Sequence, residues 1–460
     1  MSEQSNLRFG VIGLVALVLV GTGGWMLTKS GSAPAPSAVQ DVRTVEPIDT
    51  LTSLSKIGDK APSRRKMDIQ QWTTPQGTPV LFVAAPELPM FDLRVIFSAG
   101  SSQDNGQDGI AFLTNALLNE GIEGADATAI AARFEDLGAQ FGASSHRDMA
   151  LVSLRSLSAE AQREPAVELF TEVVSEPTFP NEALSRIRNQ LLASFEMRKK
   201  NPGQLAGLAL FEQLYADHPY SHNSSGDPQS ISALKQSDLR AFHNKAYTAS
   251  NAVIALVGDL TREQAEAIAA QVSAALPEGS ALPATPAPAA VAGGTHTIVF
   301  PSQQTHLQIA QLGVAQGDPD YPALYVANQI LGGGGFGTRL MEEVREKRGL
   351  TYGIYSGFSP MRATGPFMIN VQTRAELADA TQALTLQLVK DFIEQGPTQA
   401  EVDRVKRELA GSYPLSTASN GQIAGQLGSI AFYGLPLTQM DDFMDAVQKL
   451  SVDDVKQAMA

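Results

Sequence analysis

Apolar positions along the chain switch between alternation and helical spacing, and the switches come in the same order twice. Residues 93–100 (LRVIFSAG) and 307–313 (LQIAQLG) read as alternating strands. The first is followed by helix-like stretches at 109–119 and 127–137, the second by one at 321–331. Strand 150–157 and a long helical region from Glu164 continue the first series; strands 352–357 and 366–373 and a helix from Leu377 continue the second. Two long helices then align without a gap, 181–194 (NEALSRIRNQLLAS) over 399–412 (QAEVDRVKRELAGS), which places Arg186 on Arg404. Each follows a proline turn, at Pro177 and at Pro397. The pattern predicts a structural duplication: two α+β units, each with helices covering one face of an antiparallel-rich sheet. The first series closes with a helix at 237–245 and a strand at 251–258 (NAVIALVG). The second ends on its closing helix, 451–460, so either the chain is a shortened version or the second sheet keeps an unpaired edge.

Between the helix and strand of the second series lies 332–356, GGGGFGTRLMEEVREKRGLTYGIYS. Leu340, Met341 and Val344 recur at helical spacing and predict a short charged helix with one buried stripe. Arg345 falls near its end, and Tyr352 follows seven residues later, expected to share a strand face with Leu350 and Ile354. A guanidinium and a phenol can both donate to a carbonyl oxygen, so this pair is a candidate peptide-binding site. The plain alternative is a solvated helix charge and a core aromatic. The glycines Gly332, Gly333, Gly334 and Gly335, with Gly337, do not make a phosphate loop: they follow a helix and lack the Gly-Lys-Ser/Thr ending. A loop free of side chains would let a peptide backbone approach closely; a helix-ending turn would use glycine as well.

At 460 residues there is room for two or more cores. A net charge of −14 argues against nucleic acid, which needs clustered cations. With no cysteine, disulfides and thiolate metal sites are excluded. Residues 9–27 are apolar and uncharged between Arg8 and Lys29, about long enough to cross a bilayer, and predict an uncleaved anchor rather than a signal peptide. Arg8 and the terminal amine favour a cytoplasmic N-terminus, with the bulk in the periplasm of a Gram-negative cell. The expected organisation is an anchor at 1–29, a Pro/Ala-rich tether and approach segment at 30–66, a first half at 67–276, a Pro/Ala-rich linker at 277–294 and a second half at 295–460.

REKRGLTY with its Arg345-x6-Tyr352 spacing, the strand, glycine and helix of 93–118, and HPYSHNSSGDP at 218–228 together resemble the M16 family of pitrilysin, insulinase and mitochondrial processing peptidase. The resemblance covers nearly all of the chain after the anchor. It implies two α/β halves forming a clamshell that holds a peptide extended. Catalytic members carry H-x-x-E-H on the helix after the first strand and an acidic ligand from a later helix. Positions i, i+3 and i+4 share a helix face, so two imidazoles hold zinc while the Glu reaches the metal-bound water. Matching GIAFLTNAL to that motif puts Phe112, Asn115 and Ala116 at the three positions, and Ala193 or Ser194 at the acidic ligand. Phe and Ala have no lone pair to offer, and Asn is neither a base nor a good zinc ligand. The six histidines do not replace the site: His218 and His222 are four apart but separated by Pro219, and the others are scattered. Glu120 reads as a solvated helix-end acid.

The resemblance therefore implies a non-catalytic member with no cofactor of its own. Its partner would be an M16 chain carrying H-x-x-E-H and zinc, and Arg345, Tyr352 and the glycine loop would engage extended peptide substrates. The glycine loop is similar to, and shorter than, that of the non-catalytic subunit of the mitochondrial processing peptidase, where it is associated with substrate handling. The alternatives are a membrane-anchored periplasmic peptide-binding scaffold or holdase without a part in proteolysis, and a hydrolase using residues outside the family pattern.

Overall fold

The computed structural model describes residues 66–460, so the predicted anchor and nearly all of the tether lie outside the described residues. None of the described helices is long and apolar enough to cross a membrane.

The first half opens with strands β1 (Gln70–Thr73), β2 (Pro79–Ala84) and β3 (Met90–Phe97), then helix α1 (Ile110–Ala116). A small hairpin, β4 (Gly121–Ile122) and β5 (Ala125–Asp126), leads to α2 (Ala127–Asp136), β6 (Gln140–Ser145) and β7 (Ala150–Leu157). Helices α3 (Glu160–Ser175), α4 (Asn181–Arg198), α5 (Pro202–Tyr215), α6 (Pro228–Ala233) and α7 (Gln236–Ala246) precede β8 (Ala252–Gly258) and α8 (Arg262–Ala275). The sheet order is β1-β2-β8-β3-β7-β6. Pairing is antiparallel except between β2 and β8.

The second half comprises β9 (Gln304–Leu312), α9 (Tyr321–Asn328), β10 (Thr351–Phe358), β11 (Pro366–Arg374), α10 (Ala378–Gln395), α11 (Gln399–Ser412), α12 (Asn420–Tyr433), α13 (Gln439–Lys449) and α14 (Val452–Ala458). Its sheet has the order β10-β11-β9, antiparallel throughout. By the internal alignment β9 corresponds to β3. Its outer edge, where β8 would stand, pairs with no strand among the described residues. The predicted stripe of Leu340, Met341 and Val344 is buried, packed with Ile354, Ile369, Val371, Val402 and Val405.

Each half covers one face of its sheet with its own helices, as the pattern predicts. The other face takes a helix from the opposite half. Val80, Phe82, Ile254 and Leu256 point into the core that α3 and α8 close. Their neighbours Leu81, Val83, Ala255 and Val257 pack instead against Ile423, Ala424, Leu427 and Ile430 of α12. Close approach depends on glycines at helical spacing. A Cβ on Gly421 would stand 2.9 Å from Arg155 Nη2, one on Gly425 3.2 Å from Arg94 Nη1, and one on Gly428 2.6 Å from Ile96 Cδ1. In return, α5 crosses β9, and Gln308 Nε2 donates to Gly203 O at 3.0 Å. This exchange corrects the expectation of an alternating β3. Ile96 is buried on the second face as well, because α12 excludes water there.

The seam is closed by polar groups from the HPY turn. Tyr220 donates its hydroxyl to Asp148 Oδ1. From the second half, Arg362 N donates to Asp148 Oδ2 at 2.7 Å and Ala363 N to Tyr220 Oη at 3.1 Å. Burial, then the Asp148 carboxylate, raises the Tyr220 phenol, so it remains a donor. The linker is fixed to the first half: His218 Nε2 donates to Pro286 O at 2.8 Å and Gln103 Nε2 to Pro283 O at 3.0 Å.

Candidate functional site

The helix that aligns with the metal motif is α1. Asn115 is buried, and its Nδ2 donates to Tyr247 Oη at 3.3 Å and to Leu151 O at 3.5 Å. Burial raises the Tyr247 phenol, which keeps its proton. Phe112 and Ala116 are half-buried on the same helix, while Ala193 and Ser194 are exposed on α4. This donor set does not fit zinc: two side chains have no lone pair, and the third is committed to the core. Glu120 is not a solvated acid as the sequence suggested. It pairs with Arg186 of α4 and its side chain is only 14% exposed. The aligned Arg404 pairs within its own helix, with Glu408 at 3.0 Å, so the duplication preserves the arginine and not its partner.

His222 comes to a place its spacing did not announce. It joins Asp104 and Asp108 in a group whose candidate ligand atoms lie within 4.8 Å of one another. Asp104 already accepts three hydrogen bonds: Oδ2 from Gly109 N at 2.8 Å and from His222 Nε2 at 3.1 Å, and Oδ1 from Ala111 N at 3.0 Å. Burial pushes the Asp104 carboxyl up. Burial also opposes a charge on His222, but the Asp104 hydrogen bond and the nearby carboxylates raise the imidazole above its ordinary value. The group is a clasp for the start of α1.

The second candidate surface lies around Arg345 and Tyr352. Helix α9 runs into a wide π-type turn at Gln329–Gly333, and a second such turn, Met341–Glu346, carries Arg345. Turns of this kind redirect side chains and recur at functional sites. The π-type turn bearing Arg345 packs against β10, which carries Tyr352. Arg345 Nη1 donates to Glu346 Oε1 at 2.8 Å, and its Cζ lies 4.9 Å from the centre of the Phe336 ring.

Tyr352 is 91% exposed, whereas Ile354 is in the core. The two therefore do not share a strand face. The reason is a bulge: Thr351 pairs with Thr373 and Ile354 with Val371, so β10 advances three residues where β11 advances two. Thr351 Oγ holds the bulge, donating to Gln372 O at 2.6 Å and accepting from Gly353 N at 3.1 Å. A Cβ on Gly353 would meet the Tyr355 ring at 2.9 Å, so that half-exposed ring lies over the bulge backbone beside Tyr352.

The glycines divide by environment. A Cβ on Gly332 would be 2.6 Å from Ser356 Oγ, one on Gly333 2.3 Å from Asn328 Nδ2, and one on Gly334 2.7 Å from Gln329 O. These three let the loop close onto α9 and β10. Gly335 and Gly337 have φ of +76° and +82° with open space around them, and Phe336 projects between them, 73% exposed. Phe336 and Tyr355 carried no signal in the sequence beyond being aromatic, and the bulge that exposes Tyr352 is not encoded in any spacing.

The loop's exit is clamped. Arg339 donates from Nε to Glu401 Oε1 at 2.8 Å, from Nη2 to Oε2 at 2.7 Å and to Gly396 O at 3.1 Å. Burial pushes the Glu401 carboxyl up, but the Arg339 fork and Thr398 outweigh it and hold it at about 2. Because the folded value lies below the ordinary 4.5, the ionised group stabilises the fold fully above pH 4.5 and loses that contribution as pH falls towards about 2. Thermal melts of wild type and Glu401→Gln should therefore differ most at neutral pH and converge between those two values. A gap that persists unchanged at the acid end would refute this.

Comparison with known proteins gives two family matches, Insulinase (Peptidase family M16) over residues 80–227 and Peptidase M16 inactive domain over residues 233–409. A crystal structure of a peptidase M16 inactive domain from Pseudomonas fluorescens is 59% identical, with a TM-score of 0.83 over 85% of this chain and 94% of that one. The non-peptidase homolog YmxG of Helicobacter pylori is 28% identical over 383 residues, 82% of this chain and 87% of that protein. The periplasmic protease PqqL of Escherichia coli shares the fold, with a TM-score of 0.72 at 14% identity, covering 87% of this chain and 45% of that one.

Proposed function

Because the chain belongs to the M16 peptidase family and stands with its inactive members, we propose that it is the non-catalytic subunit of a heteromeric zinc peptidase. It lends Arg345 and Tyr352 to a metal held by a second M16 chain carrying H-x-x-E-H. The observation that carries this reading is the contrast between the two surfaces. On α1 the position of the catalytic base is an asparagine folded into the core. In the second half a bulge, rather than simple alternation, turns Tyr352 into solvent next to the turn bearing Arg345. An aromatic side chain exposed at an irregularity in a strand forgoes burial, which fits a surface reserved for a ligand.

The length relation supports pairing. PqqL is about twice the length that this chain matches, so one further chain of this size would supply the second half of a chamber. Zinc in the partner supplies the activated water. Arg345 and Tyr352 donate hydrogen bonds to the peptide carbonyl, fix its orientation and stabilise the oxyanion that forms there. Peptides lie extended and gain most of their affinity from main-chain hydrogen bonds, with loose sequence preference. The apolar segment 9–27 anchors the subunit in the bacterial inner membrane with its bulk in the periplasm.

The test is affinity capture of the full chain from membranes, followed by peptide-cleavage assays with and without it. Recovery of an H-x-x-E-H chain whose cleavage depends on this subunit is the expected result. If the partner cleaves equally well alone, the subunit reading fails; if no such partner is recovered, a peptide-binding scaffold replaces it.

A further inference from the structure

The contacts of Arg345 point to a residue outside the Arg/Tyr pair. Among the described residues its guanidinium has one ion pair, to the neighbouring Glu346, whose side chain is more than half exposed. Exposed pairs of this kind hold orientation weakly. It also lies against the ring of Phe336, whose centre is 4.9 Å from Cζ. Phe336 is the single side chain at the apex of a Gly-Phe-Gly turn, and both flanking glycines have left-handed backbone. That geometry is costly for other residues, and here it lifts a large apolar ring out of the core and sets it against the arginine. Gly332, Gly333 and Gly334 are packed tightly against Ser356, Asn328 and Gln329, and the Arg339–Glu401 fork pins the exit, so the apex is held at both ends.

We propose that Phe336 is the positioning residue for Arg345, and that the glycine loop acts at this site by placing that ring. The inference rests on the subunit reading for its consequence in proteolysis, but not for the contact itself. A ring with its centre 4.9 Å from the guanidinium carbon attracts the cation and takes up none of its N–H groups as a conventional hydrogen-bond acceptor would. One of these meets Glu346. The remaining donors are held at a fixed angle for a carbonyl oxygen, so less rotamer freedom is lost when a peptide binds. The role assigned to the loop is thus not close approach of a substrate backbone. It is delivery of one aromatic side chain to the arginine beside it.

The experiment uses the full chain as wild type, Phe336→Ala, Phe336→Leu and Phe336→Trp. In protein labelled with 15N-arginine, the Nε–Hε resonance of Arg345, assigned through Arg345→Lys, should be shifted upfield by the ring. The shift should vanish in the Ala and Leu variants and persist in the Trp variant, with unchanged melting temperature throughout. A resonance that does not move in Phe336→Ala overturns the proposal. With the zinc-bearing chain present, Phe336→Ala should lower kcat/KM about tenfold, Trp should restore it, and the loss should disappear in an Arg345→Ala background. Losses that multiply instead of overlapping also overturn it. If Arg345→Ala itself leaves cleavage intact, the subunit reading fails, and the resonance alone then decides whether Phe336 positions the arginine.

Discussion

Asp148→Ala should lower the stability of the folded chain by about 3 kcal/mol, because two hydrogen bonds to a carboxylate are lost and one of the donors, the Tyr220 hydroxyl, remains buried. Asp148 is almost fully buried and accepts from the Tyr220 hydroxyl and from Arg362 N, groups that belong to different halves. Tyr220 in turn accepts from Ala363 N. The carboxylate is thus the point through which the HPY turn holds the 359–365 hairpin. Asp148→Asn keeps an acceptor and should lose less. Urea titration gives the free-energy difference, and limited proteolysis should find new cleavage within 359–365. Gly365 approaches the Ser359 carbonyl so closely that a Cβ there would stand 1.8 Å from its oxygen, so the hairpin is tight at its base in the folded chain. An Asp148→Ala protein with wild-type stability would mean that the seam is held without this carboxylate, by the exchanged helices α5 and α12 and by bonds such as Ala363 N to Tyr220 Oη.

Arg345→Ala and Tyr352→Phe should each lower kcat of the proposed heteromeric peptidase by about a hundredfold, the usual effect of removing one donor to a developing oxyanion. KM should change much less, because a donor that strengthens only in the transition state contributes little to ground-state binding. Neither substitution should alter folding. Tyr352 is 91% exposed and the Arg345 ion pair is on the surface, so stability changes of less than about half a kcal/mol are expected. Steady-state kinetics on a peptide series separate the two parameters. A rise in KM at constant kcat would assign the pair to uniform substrate binding, and unchanged kinetics would remove it from the site.

Much of the fold was legible because burial imposes a period. The duplication, the helices 181–194 and 399–412, and the stripe of Leu340, Met341 and Val344 follow from spacing and reappear as α4, α11 and the second core. The degenerate motif was legible too, since Phe112, Asn115 and Ala116 lack the donors whatever the fold. Other readings failed where a distant element intervened. Ile96 is buried because α12 arrives from more than three hundred residues away, and Glu120 is ion-paired because α4 passes beside it. The reading of His218 and His222 as part of a turn stands, and the fold adds a contact that no spacing announced: His222 reaches Asp104 in the clasp at the start of α1.

The sequence by itself determined the family, the two related halves and the absence of metal ligands on α1, all of which are local in chemistry or periodic along the chain. The tertiary structure decided which side chains each half presents at its surface. A one-residue bulge, stabilised by Thr351 and Gln372 across two strands, turns Tyr352 away from the face its alternation predicts. A pair of left-handed glycines sets Phe336 against Arg345. Bulges and close approaches depend on contacts between residues far apart in the chain, and periodicity carries no record of them.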